Sequence, residues 1–353
     1  MKKKVLIIQQ TISDYNIPLF EELLKNYEIT LLHSDKKIEK EVFNFATIYV
    51  PWIQVFNKAI HIKNIVNIAR KFDIVICMFS MYYLYFDLLS RVKNKKYKII
   101  YWGIGVSASY ESRFDENQKY ISRYLDWIKR ADSVVFYSDY PKEKYIKYGV
   151  DSSKLFVANN TVKIEKINLT TDKDSFLFVG SLYKQKRVDL LLEEYAKAFQ
   201  RFHDIPKMYI IGDGVERHHL EELSKSNELN DKVVFCGEIK DETILKKYFS
   251  KAILCFSPDQ AGLSVLKAMG YGVPFVTSKN AITGGEIFNI EQDKTGVLLE
   301  SFDLISEIMI DATVCKEKYI KMGINAYEFY WNNRTIQDMA QGFIDAISYS
   351  LSL

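Results

Sequence analysis

The strongest constraint on this chain is an alternation that runs along most of its length. Short apolar runs at 5–9, 29–33, 74–78, 99–102, 134–137 and 155–158 are separated by segments with helical periodicity, among them 18–25, 59–71 and 81–92. The runs are continuously apolar rather than alternately apolar and polar, as strands covered on both faces must be. Strands of that kind with helices between them predict a parallel sheet wrapped by helices. The pattern then restarts. Strands are expected at 176–179, 208–211, 233–236, 253–256 and 275–277, and the first is followed by a helix with Val188, Leu191, Leu192, Tyr195 and Phe199 on one face. The fold class expected is therefore α/β, with two Rossmann-like domains.

A length of 353 residues suits two domains of roughly 100–200 residues each. The polar, lysine-rich segment 163–174 is read as the linker. This divides the chain into an N-terminal domain at 1–165, a C-terminal domain at 166–330 and a final helix at 331–353. Ile336, Met339, Ala340, Phe343 and Ile347 give that last helix a strict apolar face, which needs a surface to cover. The first domain is the expected partner.

Charge is unevenly spread. Residues 1–165 carry 26 Lys and Arg against 18 Asp and Glu, and residues 166–353 carry 22 against 27. A basic first half is suited to an anionic surface or substrate. Within it, 56–71 has Phe56, Ile60 and Ile68 among Lys58, Lys63, Arg70 and Lys71, and reads as an amphipathic segment that could rest on anionic lipid. The short basic run 91–98 belongs to no recognised nucleic-acid reader, so no nucleic-acid partner is expected. The four cysteines are far apart and are read as reduced thiols. The apolar stretch near the N-terminus stops after four residues, too short for a secretory leader, and no run is long enough to span a membrane. The five histidines are scattered, with His218 and His219 on an exposed helix face, so no metal site is expected and no Ser-His-Asp or Cys-His set can be assembled.

Ligands of open α/β sheets bind outside the carboxyl ends of the strands, so the turns there carry the candidate chemistry. In the second half the first turn is GSLYKQKR at 180–187, where Lys184, Lys186 and Arg187 bracket a helix start. Cations oppose the helix dipole at that position, and a bound anion would remove the conflict. Gly212 and Gly214 lie in IIGDG, and Gly237, Glu238 and Ile239 in FCGEI. The fourth turn, DQAGLSVLK at 259–267, places Gly262, Leu263 and Ser264 where a helix begins, and free N–H groups at a helix start form a ready anion site. Gly284, Gly285 and Glu286 follow on the same edge. Together these turns describe a pocket for a diphosphate with a nucleoside beside it. In the first half, YWGIGVSA at 101–108 matches a dinucleotide fingerprint, but it does not open the first strand, and no acidic residue follows at the required distance.

The order of these pieces resembles GT-B glycosyltransferases, family-4-like, of bacterial surface polysaccharide (capsule, O-antigen or exopolysaccharide) biosynthesis. The resemblance rests on GSLYKQKRVDLLLE, IIGDG, VVFCGEI and AGLSVLKAMGYGVPFV in that order, with DYNIPLFEEL at 14–23 similar to the family's first helix and VANNTV at 157–162 similar to its domain boundary. It implies two domains facing across a cleft, the final helix crossing back to the first, and a retaining hexosyl or N-acetylhexosaminyl transfer from a nucleotide-diphosphate sugar to a glycan or lipid-linked glycan. It implies no cofactor and no required metal, and a cytoplasmic protein at the inner face of the membrane. Diphosphate contacts fall to Gly180, Ser181, Lys186, Arg187, Gly262, Leu263 and Ser264, and nucleoside contacts to Gly212, Gly214, Gly237, Glu238 and Ile239. The acceptor side falls to Tyr15, Asn16, Trp102, Gly103 and Gly105.

The family's pair of glutamates, which contact donor sugar and ribose, is replaced here by Asp259 and Lys267. Lysine cannot accept a hydrogen bond from a ribose, so Glu286 is the substitute considered. Asp259 and Glu286 are the catalytic candidates, with no base assigned. Ser181 stands where the family often has Arg, for which Arg187 could compensate, and Ile104 where it has His. The alternatives are a decayed GT-B protein acting as a non-enzymatic partner, an inverting transferase, or a sugar-nucleotide 2-epimerase.

Overall fold

The structure, a computed structural model, describes residues 1–38, 41–56, 58–109 and 113–353. It divides into two compact units. The first comprises Met1–Ser107, Asp115–Lys163 and Thr335–Leu353, and the second Ala108–Phe114 and Ile164–Arg334. Ala108–Phe114 groups with the second unit, although it lies within the sequence of the first.

In the first unit the strands are β1 (Lys4–Ile8), β2 (Glu28–His33), β3 (Ala46–Tyr49), β4 (Trp52–Val55), β5 (Lys58–His61), β6 (Ile74–Met78), β7 (Lys98–Gly103), β8 (Ser133–Phe136) and β9 (Leu155–Val157). Helices α1 (Ile17–Leu23), α2 (Ile65–Ala69), α3 (Leu84–Arg91), α4 (Ile121–Arg130) and α5 (Asp139–Lys147) lie between them. Seven strands form a parallel sheet in the order β3-β2-β1-β6-β7-β8-β9. Side chains alternate across it. Val5, Ile7, Ile76, Ile100 and Val135 face one core, with α1 and the C-terminal helix, while Leu6, Ile8, Val75, Ile99 and Val134 face the other. Both faces are thus buried, which accounts for the continuous apolar runs.

The segment expected as one amphipathic helix at 59–71 is not one. The chain forms an antiparallel hairpin from β4 and β5, in which Trp52 pairs with His61 and Val55 with Lys58, and only then the short α2. Two local features set this. Phe56 has a left-handed φ of 52°, which turns the chain, and the Asn64 side chain accepts from the Asn67 N–H at 3.3 Å, which starts the helix there. Asn57 lies outside the described residues.

The C-terminal helix Ile336–Ser352 belongs to the first unit. A reciprocal capping box begins it: the Thr335 N–H donates to Asp338 at 2.8 Å and the Asp338 N–H to Thr335 at 3.3 Å. Met339, Ala340, Phe343, Ala346 and Ile347 are buried against the sheet, with the Phe343 ring 4.9 Å from Trp102. Gly342 is required by the close approach of this helix to β9, because a Cβ there would overlap the carbonyl oxygen of Val157.

The second unit repeats the plan with β10 (Ser175–Val179), β11 (Lys207–Ile211), β12 (Val233–Gly237), β13 (Ala252–Phe256), β14 (Gln260–Ala261), β15 (Phe275–Ser278), β16 (Ile282–Thr283) and β17 (Gly296–Leu299). Its helices are α6 (Val188–Arg201), α7 (Arg217–Ser226), α8 (Glu242–Lys251), α9 (Ser264–Gly270), α10 (Leu304–Val314) and α11 (Lys316–Asn333). The main sheet is parallel in the order β12-β11-β10-β13-β15-β17, and β14 pairs with β16 at its carboxyl edge. The segment expected as a linker is packed rather than loose. Ile164 and Ile167 are buried, Lys173 is buried and donates to the Ala252 carbonyl at 3.0 Å, and Tyr327 donates to the Ile167 carbonyl at 2.8 Å.

Replacing Gly342 by Val should push the C-terminal helix off β9. The expected loss is about 1–3 kcal/mol of stability in urea, with faster amide exchange confined to that helix. The exposed neighbour change Gln341→Ala should do neither. Unchanged exchange in Gly342→Val would contradict the packing described.

Candidate functional site

The carboxyl edge of the second sheet is built from turns that are stitched to one another. The Gly180 N–H donates to Ile211 O at 3.0 Å, Leu182 N–H to Asp213 O at 2.9 Å, and Gly212 N–H to Gly237 O at 2.8 Å. The expected turns at 180–182, 212–214 and 237 are therefore adjacent. Gly212 and Gly214 are explained by this contact. A Cβ at Gly212 would overlap Gly180 O and one at Gly214 would overlap Leu182 O. Both glycines are thus required by the close approach of neighbouring backbone. Gly237 faces Arg217 Nη1, Glu238 is exposed and pairs with Lys240 at 3.6 Å, and Ile239 is half-buried.

Lys186 ends a 3-10 turn, Lys184–Lys186, and is only 7% exposed. Its ammonium lies over the Tyr183 ring, 5.9 Å from the centroid, and against Gly180, where a Cβ would be 3.4 Å away. Among the described residues it has neither a hydrogen bond nor an ion pair. Burial pushes its pKa down to about 8, opposed in part by the nearby Cys255 thiol and Glu286 carboxylate. A buried ammonium in that state is costly unless an anion joins it. Arg187 does not share this position. It takes a left-handed φ of 53°, its Nε lies 3.2 Å from both oxygens of Asp189, and its guanidinium rests 6.0 Å from the Phe302 ring. The expected second cation of a diphosphate clamp is committed to its own helix. Ser181 is exposed on the same turn.

The fourth turn lies alongside. Ser257 donates to Gln260 O at 2.8 Å, and Tyr183 donates to the Gln260 side chain at 2.9 Å, tying the first turn to the fourth. Nothing lies within 4 Å of a Cβ placed on Gly262, so the approach there is open. Leu263 is the N-cap of α9 and offers no capping side chain, while Ser264 Oγ is buried with no hydrogen-bond partner. Gly262–Ser264 thus combine open space, unsatisfied N–H groups and an unsatisfied hydroxyl.

The charged residues expected at this edge are already engaged. Asp259 is held in a bidentate pair by Arg113, at 2.8 Å and 3.2 Å, and Arg113 also donates to Asn280 O at 2.5 Å. Lys267 donates to Glu242 at 2.5 Å, and Tyr271 donates to the other oxygen of that carboxylate at 2.9 Å. Burial, with Glu242 adding to it, raises the Tyr271 pKa. Glu286 is buried, and its Oε2 accepts from the Gly284 N–H at 2.9 Å and the Thr283 hydroxyl at 3.3 Å. Gly285 has φ 118° in that turn. Neither Arg113 nor Glu242 is signalled in the sequence: each lies far along the chain from its partner and in no motif.

In the first unit most of the residues expected on the acceptor side are buried. Trp102 is 1% exposed, with its ring edge-on to Phe20 at 6.5 Å and Tyr137 at 5.8 Å, so it belongs to the core. A Cβ on Gly103 would lie 3.2 Å from Phe79 Cβ, and the Gly105 carbonyl accepts from Tyr145 at 2.6 Å. Asn16 is buried, and of this set only Tyr15, at 43%, is exposed. The carboxyl ends of β1 and β8 instead place Gln9 Oε1 and Ser138 Oγ, both buried and unpartnered among the described residues. Gln10 accepts from Tyr83 at 2.6 Å beside them. Among the described residues no three His, Cys, Asp or Glu side chains lie close enough to hold a metal ion, and no helix is long and apolar enough to cross a membrane.

Residues 159–329 match the family described as glycosyl transferases group 1. An uncharacterized glycosyltransferase of Methanocaldococcus jannaschii is 29% identical over 178 residues, which is 48% of this chain and 44% of that protein. The O-antigen biosynthesis glycosyltransferase WclY of Escherichia coli is 23% identical over 150 residues, 42% of this chain and 41% of that protein. The chain thus spans less than half the length of these curated relatives. Among solved structures, Anabaena Alr3699/HepE in complex with UDP superposes with a TM-score of 0.74 at 15% identity, over 99% of this chain and 100% of that one. The fold is that of GT-B glycosyltransferases: two Rossmann-like domains with parallel sheets.

Lys186 makes a pH prediction. An unfolded chain holds this proton up to the ordinary lysine pKa, whereas the folded chain releases it near pH 8, so the unfolded state binds more protons between the two. The contribution of Lys186 to stability should therefore rise as pH climbs through that interval, against the opposite contribution of the buried Cys77 and Cys255 thiols, whose pKa values burial raises. Lys186→Met should remove part of the rise and stabilise the ligand-free protein at pH 7 by roughly 1–3 kcal/mol. Lys173, also lowered to about 8 by burial, and Lys154, lowered by burial as well, should contribute in the same sense. Denaturation midpoints at stepped pH read this directly, and an unaltered slope in Lys186→Met would refute it.

Proposed function

We propose that this chain is a group 1 glycosyltransferase. In this reading it takes a nucleotide-diphosphate sugar as donor and transfers a hexose or N-acetylhexosamine, with retention, to a glycan or lipid-linked glycan in cell-surface polysaccharide synthesis. The donor belongs to the second unit and the acceptor to the first. The observation that carries the reading is the buried, unpaired ammonium of Lys186 on the same edge as the open, unsatisfied turn at Gly262–Ser264. A lysine and a set of N–H groups are what a leaving diphosphate needs, and groups fixed in advance stabilise such charge without reorganising. No metal is required in this reading. Asp259 and Glu286 are the carboxylates that this reading assigns to donor hydroxyls, in exchange for their internal partners. The similarity to a protein solved with UDP makes UDP the first nucleotide to try. The protein works in the cytoplasm, with the first unit meeting the anionic inner face of the membrane.

A second reading, a GT-B protein that supports an active partner without transferring sugar itself, is favoured by one observation. Both signature side chains have internal partners: Asp259 with Arg113 and Lys267 with Glu242.

The test is thermal stability in the presence of UDP, GDP, ADP, CDP and TDP, followed by turnover of the matching labelled sugar nucleotides. One nucleotide at a hundred times its Kd should add about 2.7 kcal/mol. Lys186→Met should lose that shift, while the exposed neighbour change Lys184→Met should keep it. A response to none of the five would reject the donor site and leave the non-enzymatic reading.

A further inference from the structure

Arg113 stands apart from the other cations at the carboxyl edge of the second unit. It belongs to Ala108–Phe114, the short piece of chain that groups with that unit. Its guanidinium forms a fork with Asp259, Nη1 to Oδ1 at 2.8 Å and Nη2 to Oδ2 at 3.2 Å, and Nη1 also donates to the Asn280 carbonyl at 2.5 Å. The next residue, Phe114, packs edge-on against Phe288 with ring centroids 5.2 Å apart. Phe288 lies in the turn Glu286–Asn289, and the Ile282 N–H ahead of that turn donates to the Asp259 carbonyl at 2.9 Å. The arginine is therefore tied to the two segments that carry Asp259 and Glu286. A planar fork held in this way is pre-organised, so little further freedom is lost when another group binds it.

Exposure decides which member of the pair a ligand meets. The Asp259 side chain is 13% exposed and the Arg113 side chain 47%. Aspartate is one methylene shorter than the glutamate of the resembled family, and both of its oxygens face the guanidinium. What this position offers a sugar is thus a cation backed by a nearly buried carboxylate. A neutral hydroxyl gains little there, because it competes with a charged donor for the same oxygens. A carboxylate does better, since one guanidinium has five N–H donors and can serve two carboxylates. The first unit contains such a case: Arg130 donates to Asp87 through Nη2 at 2.5 Å and to Asp126 through Nη1. The diphosphate has its own cation in the buried Lys186, so Arg113 is left to the sugar.

We propose that Arg113 determines the donor sugar and that this sugar bears a carboxylate: the donor is a nucleotide-diphosphate uronic acid whose carboxylate binds the exposed side of the Arg113 guanidinium. Shared between two carboxylates, Arg113 gives up part of its hold on Asp259, which then accepts from a hydroxyl of the same sugar. The proposal rests on the donor reading given above and names the class of sugar for it. It also accounts for aspartate in place of glutamate, because the shorter side chain leaves room for a guanidinium between itself and the ligand.

Melting curves of the full chain with paired nucleotide sugars test this. Each pair is the uronic acid and the neutral hexose of whichever nucleotide stabilises the protein, beginning with UDP-glucuronate and UDP-glucose, and the free nucleotide is the reference. The acidic sugar should bind about tenfold or more tighter than the neutral one, as a charge-assisted hydrogen-bond pair implies. Arg113→Gln should abolish that preference and leave affinity for the free nucleotide unchanged. Arg113→Lys, which keeps the charge and loses the fork, should retain only part of the preference. Arg201→Gln, which breaks an exposed pair with Glu307, should alter nothing. Should Arg113→Gln melt early because Asp259 is left uncovered, Arg113→Gln/Asp259→Asn removes both charges and carries the same expectation. Equal binding of acidic and neutral sugars by the wild type overturns the proposal. So does an equal loss of uronic-acid and free-nucleotide affinity in Arg113→Gln, which would make Arg113 a ligand of the diphosphate. Both of these outcomes leave the donor reading intact. Binding of no nucleotide and no nucleotide sugar removes the donor site itself, and this proposal with it.

Discussion

Nearly every strand in this molecule runs parallel to its neighbours, and most of the structure follows from that constraint. Parallel strands cannot be joined by a tight hairpin, so each connection must travel back over a face of the sheet. The returning helices bury both faces, and the strands become uniformly apolar. Because all the strands point one way, the turns after them gather at a single edge of each sheet. In the second unit those turns press together until there is no room for a side chain at Gly212 or Gly214. The exception is informative. The β4–β5 hairpin is antiparallel, lies outside the seven-stranded sheet, and leaves Phe56 and Ile62 in solvent.

The crowding of backbone also explains the electrostatics at that edge. Lys186 is drawn under the first turn, against Gly180 and Tyr183, where water cannot solvate it. Arg187 is turned aside by its left-handed backbone and satisfied by Asp189. The two adjacent cations, indistinguishable by composition, therefore have different roles. One is a half-exposed surface pair of the kind that contributes little. The other is a desolvated charge with no hydrogen bond among the described residues, and any anion that reaches it removes a cost already present in the folded state.

The sheets, the order of the turns and the docked C-terminal helix were legible in the sequence because each rests on a run of similar residues with a clear period. Strand ends agree within a residue or two, as at β13, expected over 253–256 and found at Ala252–Phe256. What failed was the segment at 59–71, where apolar and basic residues at helical spacing conceal a hairpin set by Phe56 and a cap at Asn64. At the site, backbone features were read more accurately than side chains. Gly262 is open, as its position suggested, but Trp102 follows a strand pattern and is simply core. Partners distant in sequence had no signal at all. Nothing in a single chain says that Arg113 will meet Asp259, 146 residues away.

Those distant partners change what the altered signature means. A lone aspartate and a lone lysine in place of two glutamates would leave one shortened acceptor and one misplaced charge. In the folded chain neither is alone. Asp259 lies in a fork with Arg113, and Lys267 in a triad with Glu242 and Tyr271. Bidentate guanidinium pairs are among the stronger ion pairs, and this one is partly buried on the aspartate side. A sugar hydroxyl reaching Asp259 must compete with a charged donor and would gain little. An anion reaching the same place would instead draw Arg113 toward itself and free the carboxylate. In this arrangement the substituted residues need not mark decay.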